Sequence, residues 1–159
     1  TLPDGAAVFQ NPDRQGGWAY VSNSEDNDSG GVGALYFDKY GRVIQYEQLL
    51  LGQTRRNCGG GKTWWGTYLS CEEHGGNAKV WEVDPWSKVA RSTMIDETVG
   101  SWYESAAYDN HNPLDPKFFI TMDRNNGPLL RLSPDPQAVQ EAVANDDYSN
   151  LLHSSTGNE

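Results

Sequence analysis

The chain reads as all-β, a β-propeller fragment of about three blades followed by a short C-terminal helix. Three observations predict this. Short runs rich in aromatic and β-branched residues alternate with turns of Gly, Pro, Asp and Asn over residues 1–133. These runs recur at a spacing of about 50 residues, the scale of blades built from several short strands. Six Trp and eight Tyr beside 17 Gly and 8 Pro describe many packed, tightly turned strands rather than a helical bundle or a disordered chain.

Taken in order, the start is loose and rich in Pro, Asp and Gly. Gly17 to Asn23 then predicts a strand and Ser24 to Gly31 an oxygen-rich turn. A strand from Val32 to Asp38 turns at Lys39-Tyr40-Gly41 into a partner spanning Arg42 to Leu51. Next comes a segment unlike the rest, Asn57-Cys58-Gly59-Gly60-Gly61-Lys62-Thr63, and a strand over Trp64 to Cys71 that ends in Glu72, Glu73 and His74. Ala78 to Asp84 turns at Pro85-Trp86-Ser87 into Lys88 to Ile95. A third round has strands over Glu104 to Asp109, Lys117 to Asp123 and Pro128 to Leu132. Asp135 to Asn145, with Pro near its start, predicts the helix, and Asp146 to Glu159 an acidic polar tail. The domain division is therefore a propeller part over 1–133 and a helix with tail over 134–159.

The rounds align. Tyr20-Val21-Ser22, Tyr68-Leu69-Ser70 and Phe119-Ile120-Thr121 match, and an acid follows each, at Glu25, Glu72 and Asp123. If Cys58 and Glu104 open the inner strands of successive units, antiparallel pairing sets each beside the end of a neighbouring strand. Glu25, Cys58, Glu72, Glu104 and Asp123 then gather at one mouth of the axis. Sulfur and oxygen donors collected in this way point to a metal site. Two cysteines leave Cys58 with two readings, a thiolate ligand or one half of a disulfide with Cys71.

A net charge of −10 and a pI near 4.6 argue against nucleic acid or an anionic membrane surface as partners, and they suit bound cations. No apolar run approaches membrane-spanning length.

On these residues the sequence resembles the PhoX-type alkaline phosphatases. Asn57-Cys58-Gly59-Gly60 with Trp65-Gly66-Thr67-Tyr68-Leu69-Ser70-Cys71-Glu72-Glu73 is similar to that family's Asn-Cys-x-Gly-Gly…Trp-Gly-Thr-x-Leu-[Ser/Thr]-x-Glu-Glu segment. Ser22-Asn23-Ser24-Glu25 with Gly30-Gly31-Val32, Gly100 to Asp109, and Phe119 to Asp123 resemble three further family segments. His positions of the family are Ser24 and Tyr103 here, and Met122 stands where an acid is usual. The resemblance covers about residues 16–133. It implies a secreted propeller, extracellular or periplasmic (an organellar lumen is the other possibility), with calcium and iron on the axis and phosphate monoesters as substrates. Cys58 is then the thiolate ligand of iron, with Glu25, Glu72 and Glu104 as carboxylate ligands. The alternative is a non-catalytic propeller of this kind, binding calcium or serving as a structural subunit of a larger assembly. In either case further blades or neighbouring protein subunits are expected against the flanks of a three-blade arc.

Overall fold

The computed structural model describes residues 2–13, 16–96 and 102–153. Among these, three antiparallel sheets follow one another along the chain. The first holds β1 (Pro3–Gln10), β2 (Trp18–Ser24), β3 (Gly30–Phe37) and β4 (Val43–Thr54), each paired with the next. The second holds β5 (Asn57–Lys62), β6 (Tyr68–Glu72), β7 (Val80–Val83) and β8 (Ala90–Ser92) in the same order. The third holds β9 (Tyr103–Asp109), β10 (Lys117–Met122) and β11 (Leu130–Leu132). Among the described residues the fold is all-β apart from one 3-10 turn and one helix, α1 (Pro136–Asn145).

The start that reads as loose is in fact β1. Its Ala7 and Phe9 pair with Val21 and Ala19 of β2, and Phe9 is buried. Pro3, Asp4 and Gly5 disguise the strand, because local propensity there favours a turn while the edge of β2 supplies a ladder.

The first strands of the three sheets, β1, β5 and β9, lie side by side, and glycine makes this possible. A Cβ on Gly59 would stand 2.0 Å from the Glu104 carbonyl oxygen, and one on Gly61 2.0 Å from that of Ala106. Only a residue without a side chain lets two backbones approach so closely. Gly59→Ala is expected to force β5 and β9 apart and to cost about 3 kcal/mol or more, since an overpacked backbone contact has no rotamer to relieve it. Urea denaturation of the variant checks this; a loss under about 1 kcal/mol is incompatible with the close approach.

Sheets one and two, and sheets two and three, pack face to face. β6 is therefore buried on both sides, with Tyr68 and Ser70 on one face and Leu69 and Cys71 on the other. Ala19, Val21, Val32, Ala34 and Tyr36 of the first sheet meet Tyr68 and Val83. Leu69, Cys71 and Val80 meet Phe118, Ile120 and Met122 of the third. Trp64 and Trp65, in the β5–β6 turn, pack against Phe118 at ring distances of 5.7 and 6.0 Å.

These contacts correct the register of the repeat. Tyr20, Tyr68 and Phe118 are the equivalent aromatics, each five positions before the residue that follows the second strand (Glu25, Glu73 and Asp123). Matching Phe119 to Tyr20 is one residue out, and in a strand one residue is the opposite face. Tyr68 and Phe118 are 1% and 0% exposed because a preceding sheet covers them, whereas Tyr20 is 36% exposed.

The helix forms where expected. Pro136 begins it, and the Asp135 carboxylate accepts from the N–H groups of Gln137 and Ala138 at 3.0 and 2.9 Å. It is not a separate appendage. Val139 and Ala142, with Leu151 and Leu152 after it, join the core between the second and third sheets. His153 anchors that end, its Nε2 2.6 Å from Glu82 and its Nδ1 2.9 Å from the Ser92 carbonyl. Residues 154–159 of the polar tail lie outside the described residues.

Candidate metal centre

A buried polar chain fixes the segment that carries Cys58. The Thr54 hydroxyl donates to Asn57 Oδ1 at 2.6 Å, and Asn57 Nδ2 donates to Ser70 Oγ at 2.9 Å. Ser70 Oγ donates to Asn23 Oδ1 at 2.8 Å, and Asn23 Nδ2 donates to the carbonyls of Cys58 and Gly59, both at 2.6 Å. Each member is satisfied, so the network is rigid rather than costly. It ties the first two sheets together where β5 begins beside β1.

Two overlapping groups of donor atoms meet there. Asp4, Glu25 and Cys58 form one, and Cys58, Glu73 and Glu104 the other, with the ligand atoms within 4.8 Å of one another in each. The topology explains the membership. Asp4, Cys58 and Glu104 are the second residues of β1, β5 and β9, while Glu25 and Glu73 directly follow β2 and β6. Each group thus joins the strand starts of two successive sheets to the acid between them.

Of the five residues expected at the mouth, Glu25 stands with Cys58 in the first group and Glu104 with Cys58 in the second. The structure turns Glu72 away. Alternation along β6 puts Glu72 on the face of Tyr68 and Ser70, where its oxygens accept from the N–H groups of Arg55 at 3.0 Å and Lys79 at 2.9 Å and from Trp81 Nε1 at 3.2 Å. Its neighbour Glu73 leaves the strand and enters the site. Asp123 is exposed, its N–H donating to the Trp102 carbonyl, and it joins neither group. Cys58 and Cys71 are both free and buried; Cys71 faces the third sheet while Cys58 opens onto the mouth. Asp4 is not legible as a site residue in the sequence because β1 is not legible as a strand. Its signal is positional, the acid at the second residue of a first strand.

Burial, then a hydrogen bond to Glu104 and the negative charges around it, pushes the Cys58 thiol far above its ordinary range. Burial also raises Glu73, against the opposing pull of Cys58 and Arg56. Arg56 is the one cation in contact with the carboxylates among the described residues. Its Nη2 donates to Glu25 at 2.9 Å and Glu73 at 3.1 Å, and the Glu25 hydrogen bond raises its proton affinity further.

Cys58, Cys71 and Tyr68 are all held protonated by burial, each well above its ordinary value. A raised acid adds stability that is full below the unfolded value and disappears as pH climbs toward the folded one. The metal-free protein is therefore expected to lose stability above about pH 9, at up to about 1.4 kcal/mol per pH unit for each thiol. Urea midpoints measured between pH 8 and 10.5 check this, and a flat profile contradicts it.

A cation has the opposite effect. It favours the ionised thiol and carboxylates that burial disfavours, so the donor set fits a metal ion. Each group sets the Cys58 thiol beside two carboxylates, Asp4 and Glu25 in one and Glu73 and Glu104 in the other, and sulfur and oxygen are donor types that metal ions take. No helix among the described residues is long and apolar enough to cross a membrane. No family model, curated protein or solved structure matches the chain.

Proposed function

We propose that the chain is part of a secreted, PhoX-like β-propeller that hydrolyses phosphate monoesters at a calcium- and iron-binding site on its axis. The observation that carries this reading is the meeting of Asp4, Glu25, Cys58, Glu73 and Glu104 at one mouth, at positions repeated from sheet to sheet. The same rule accounts for Asp123. Glu25 and Glu73 each stand beside the strand start of the following sheet, and Asp123 holds that position for a sheet beyond the third. Tyr20 asks for a sheet before the first. Both features support further blades, whether from the same polypeptide or from a neighbouring subunit.

Asp4, Glu25, Cys58, Glu73 and Glu104 would hold the ions, which supply the positive charge that clamps a phosphate and activates a water when bound. The chain's own part is positional. The Asn57–Ser70–Asn23 network fixes the Cys58 peptide, the glycines bring Glu104 within reach of it, and Glu73 is oriented by its N–H bond to the Arg56 carbonyl at 2.8 Å.

A second reading has an observation of its own. Arg56 already compensates Glu25 and Glu73, so these acids hold together without an ion, which suits a non-catalytic propeller serving as a structural or interaction subunit. Metal analysis of the purified protein with an assay on p-nitrophenyl phosphate separates the two. Iron with calcium, and turnover lost to a chelator, is expected for the enzyme. Calcium alone without turnover leaves the scaffold, and no bound metal removes the enzyme and leaves only a structural subunit.

A further inference from the structure

We infer that Arg56 is the site's built-in counter-ion, which a metal cation must displace from Glu25 and Glu73 in order to bind. The inference rests on the metal-site reading above and adds a mechanism of loading to it. One nitrogen, Nη2, bridges carboxylates from the two donor groups, so the guanidinium competes for oxygens in both. A hydrogen bond from Arg56 and a bond to a cation draw on the same carboxylates, and two positive charges at one position repel.

The placement of Arg56 is built rather than incidental. Its backbone is left-handed, with φ 47°, a conformation that a side-chain-bearing residue adopts only when its surroundings impose it. They do so from both sides, since its N–H donates to the Asp26 carbonyl at 2.9 Å and its carbonyl accepts from the Glu73 N–H at 2.8 Å. The guanidinium lies over the Trp102 ring at 5.6 Å. That contact holds the cation against the ring while it bonds both carboxylates. Arg55 makes the contrast. It is exposed and its Nε donates to the Asn27 carbonyl at 3.0 Å, so it carries the same charge at the next position without touching the donor groups.

The experiment is a calorimetric titration of metal-stripped protein with calcium chloride, repeated anaerobically with a ferrous salt, on the unaltered chain and on Arg56→Gln and Arg55→Gln. Both variants remove one positive charge, but only the first removes a competitor. Arg56→Gln is expected to bind at least about tenfold more tightly, the range typical of coupled binding equilibria, and Arg55→Gln within about twofold of the unaltered chain. An NMR resonance of the Arg56 Nε–H, assigned by its absence in Arg56→Gln, is expected to shift on metal addition to the unaltered chain. Equal affinity in all three with an unmoved resonance overturns the exchange while leaving the metal site standing. An equal gain in both variants reduces it to general charge and overturns it too. No binding by any of the three overturns the metal reading itself. Should Arg56→Gln fail to fold, Arg56→Met removes the same charge while keeping an apolar stem against Trp102, and the same outcomes are decisive.

Discussion

Glu73→Gln is expected to weaken metal binding by about 100-fold or more and to abolish any phosphatase activity, while Glu72→Gln leaves the metal site in place and costs stability. The two residues are adjacent in sequence and chemically identical, so the contrast isolates geometry. Glu73 stands with Cys58 and Glu104 in one donor group. Glu72 instead accepts from two backbone N–H groups and the Trp81 indole, and a Gln there turns an amide nitrogen toward donors it cannot satisfy. Roughly 1–3 kcal/mol of folding stability is the expected loss for such a buried mismatch. Metal titration and urea denaturation of both variants decide the matter. If Glu72→Gln loses the metal and Glu73→Gln does not, the site is assigned to the wrong face of the β6 end.

Phe118→Ala is expected to cost about 3–5 kcal/mol, and Tyr68→Ala a similar amount, because each empties a fully enclosed position between two sheets. Phe118 loses its contacts with Trp64 and Trp65 as well as with the aliphatic core. Tyr20→Ala, at the equivalent position of the first sheet, is expected to change stability by no more than about 1 kcal/mol in the chain alone. The three substitutions together test the repeat and the coverage of its outer face in one denaturation series. A Tyr20→Ala cost equal to that of Phe118→Ala means that a further sheet or subunit covers this face in solution. A small cost for Phe118→Ala contradicts the stacking of the second and third sheets.

Covering of the first sheet's outer face matters for the site as well as for stability. Glu25 and Glu73 each stand with the strand start of the following sheet, Cys58 and Glu104 respectively. The three sheets among the described residues accordingly complete two such groups. Further groups of the same kind arise only where another sheet follows the third or precedes the first. The metal stoichiometry measured for the proposed function is thus also a count of joined sheets.

Much of this protein was legible in its sequence. Strand-forming runs at a spacing of about 50 residues, the glycine run beside Cys58, and the capped helix after Asp135 are local signals. They are written in propensity and period, which neighbouring residues alone determine. Cys58, Glu104 and Glu25 followed from them, because a strand start and a strand end are features of position along the chain. What only the tertiary structure decided is which neighbour of a pair faces inward. Strand side chains alternate with a period of two, so an error of one residue exchanges the faces. Glu72 and Glu73, and Phe118 and Phe119, are such pairs, and the choice is made by partners distant in sequence. Lys79 and Trp81 hold Glu72, and the sheet before β10 covers Phe118. Asp4 lay hidden for a related reason, since Pro3-Asp4-Gly5 favours a turn until β2 offers it a ladder. Arg56 reaches its two carboxylates only through a left-handed backbone that Asp26 and Glu73 impose from either side. Local chemistry sets where strands run, but a one-residue choice of face costs little locally and is settled by burial and hydrogen bonds across the fold.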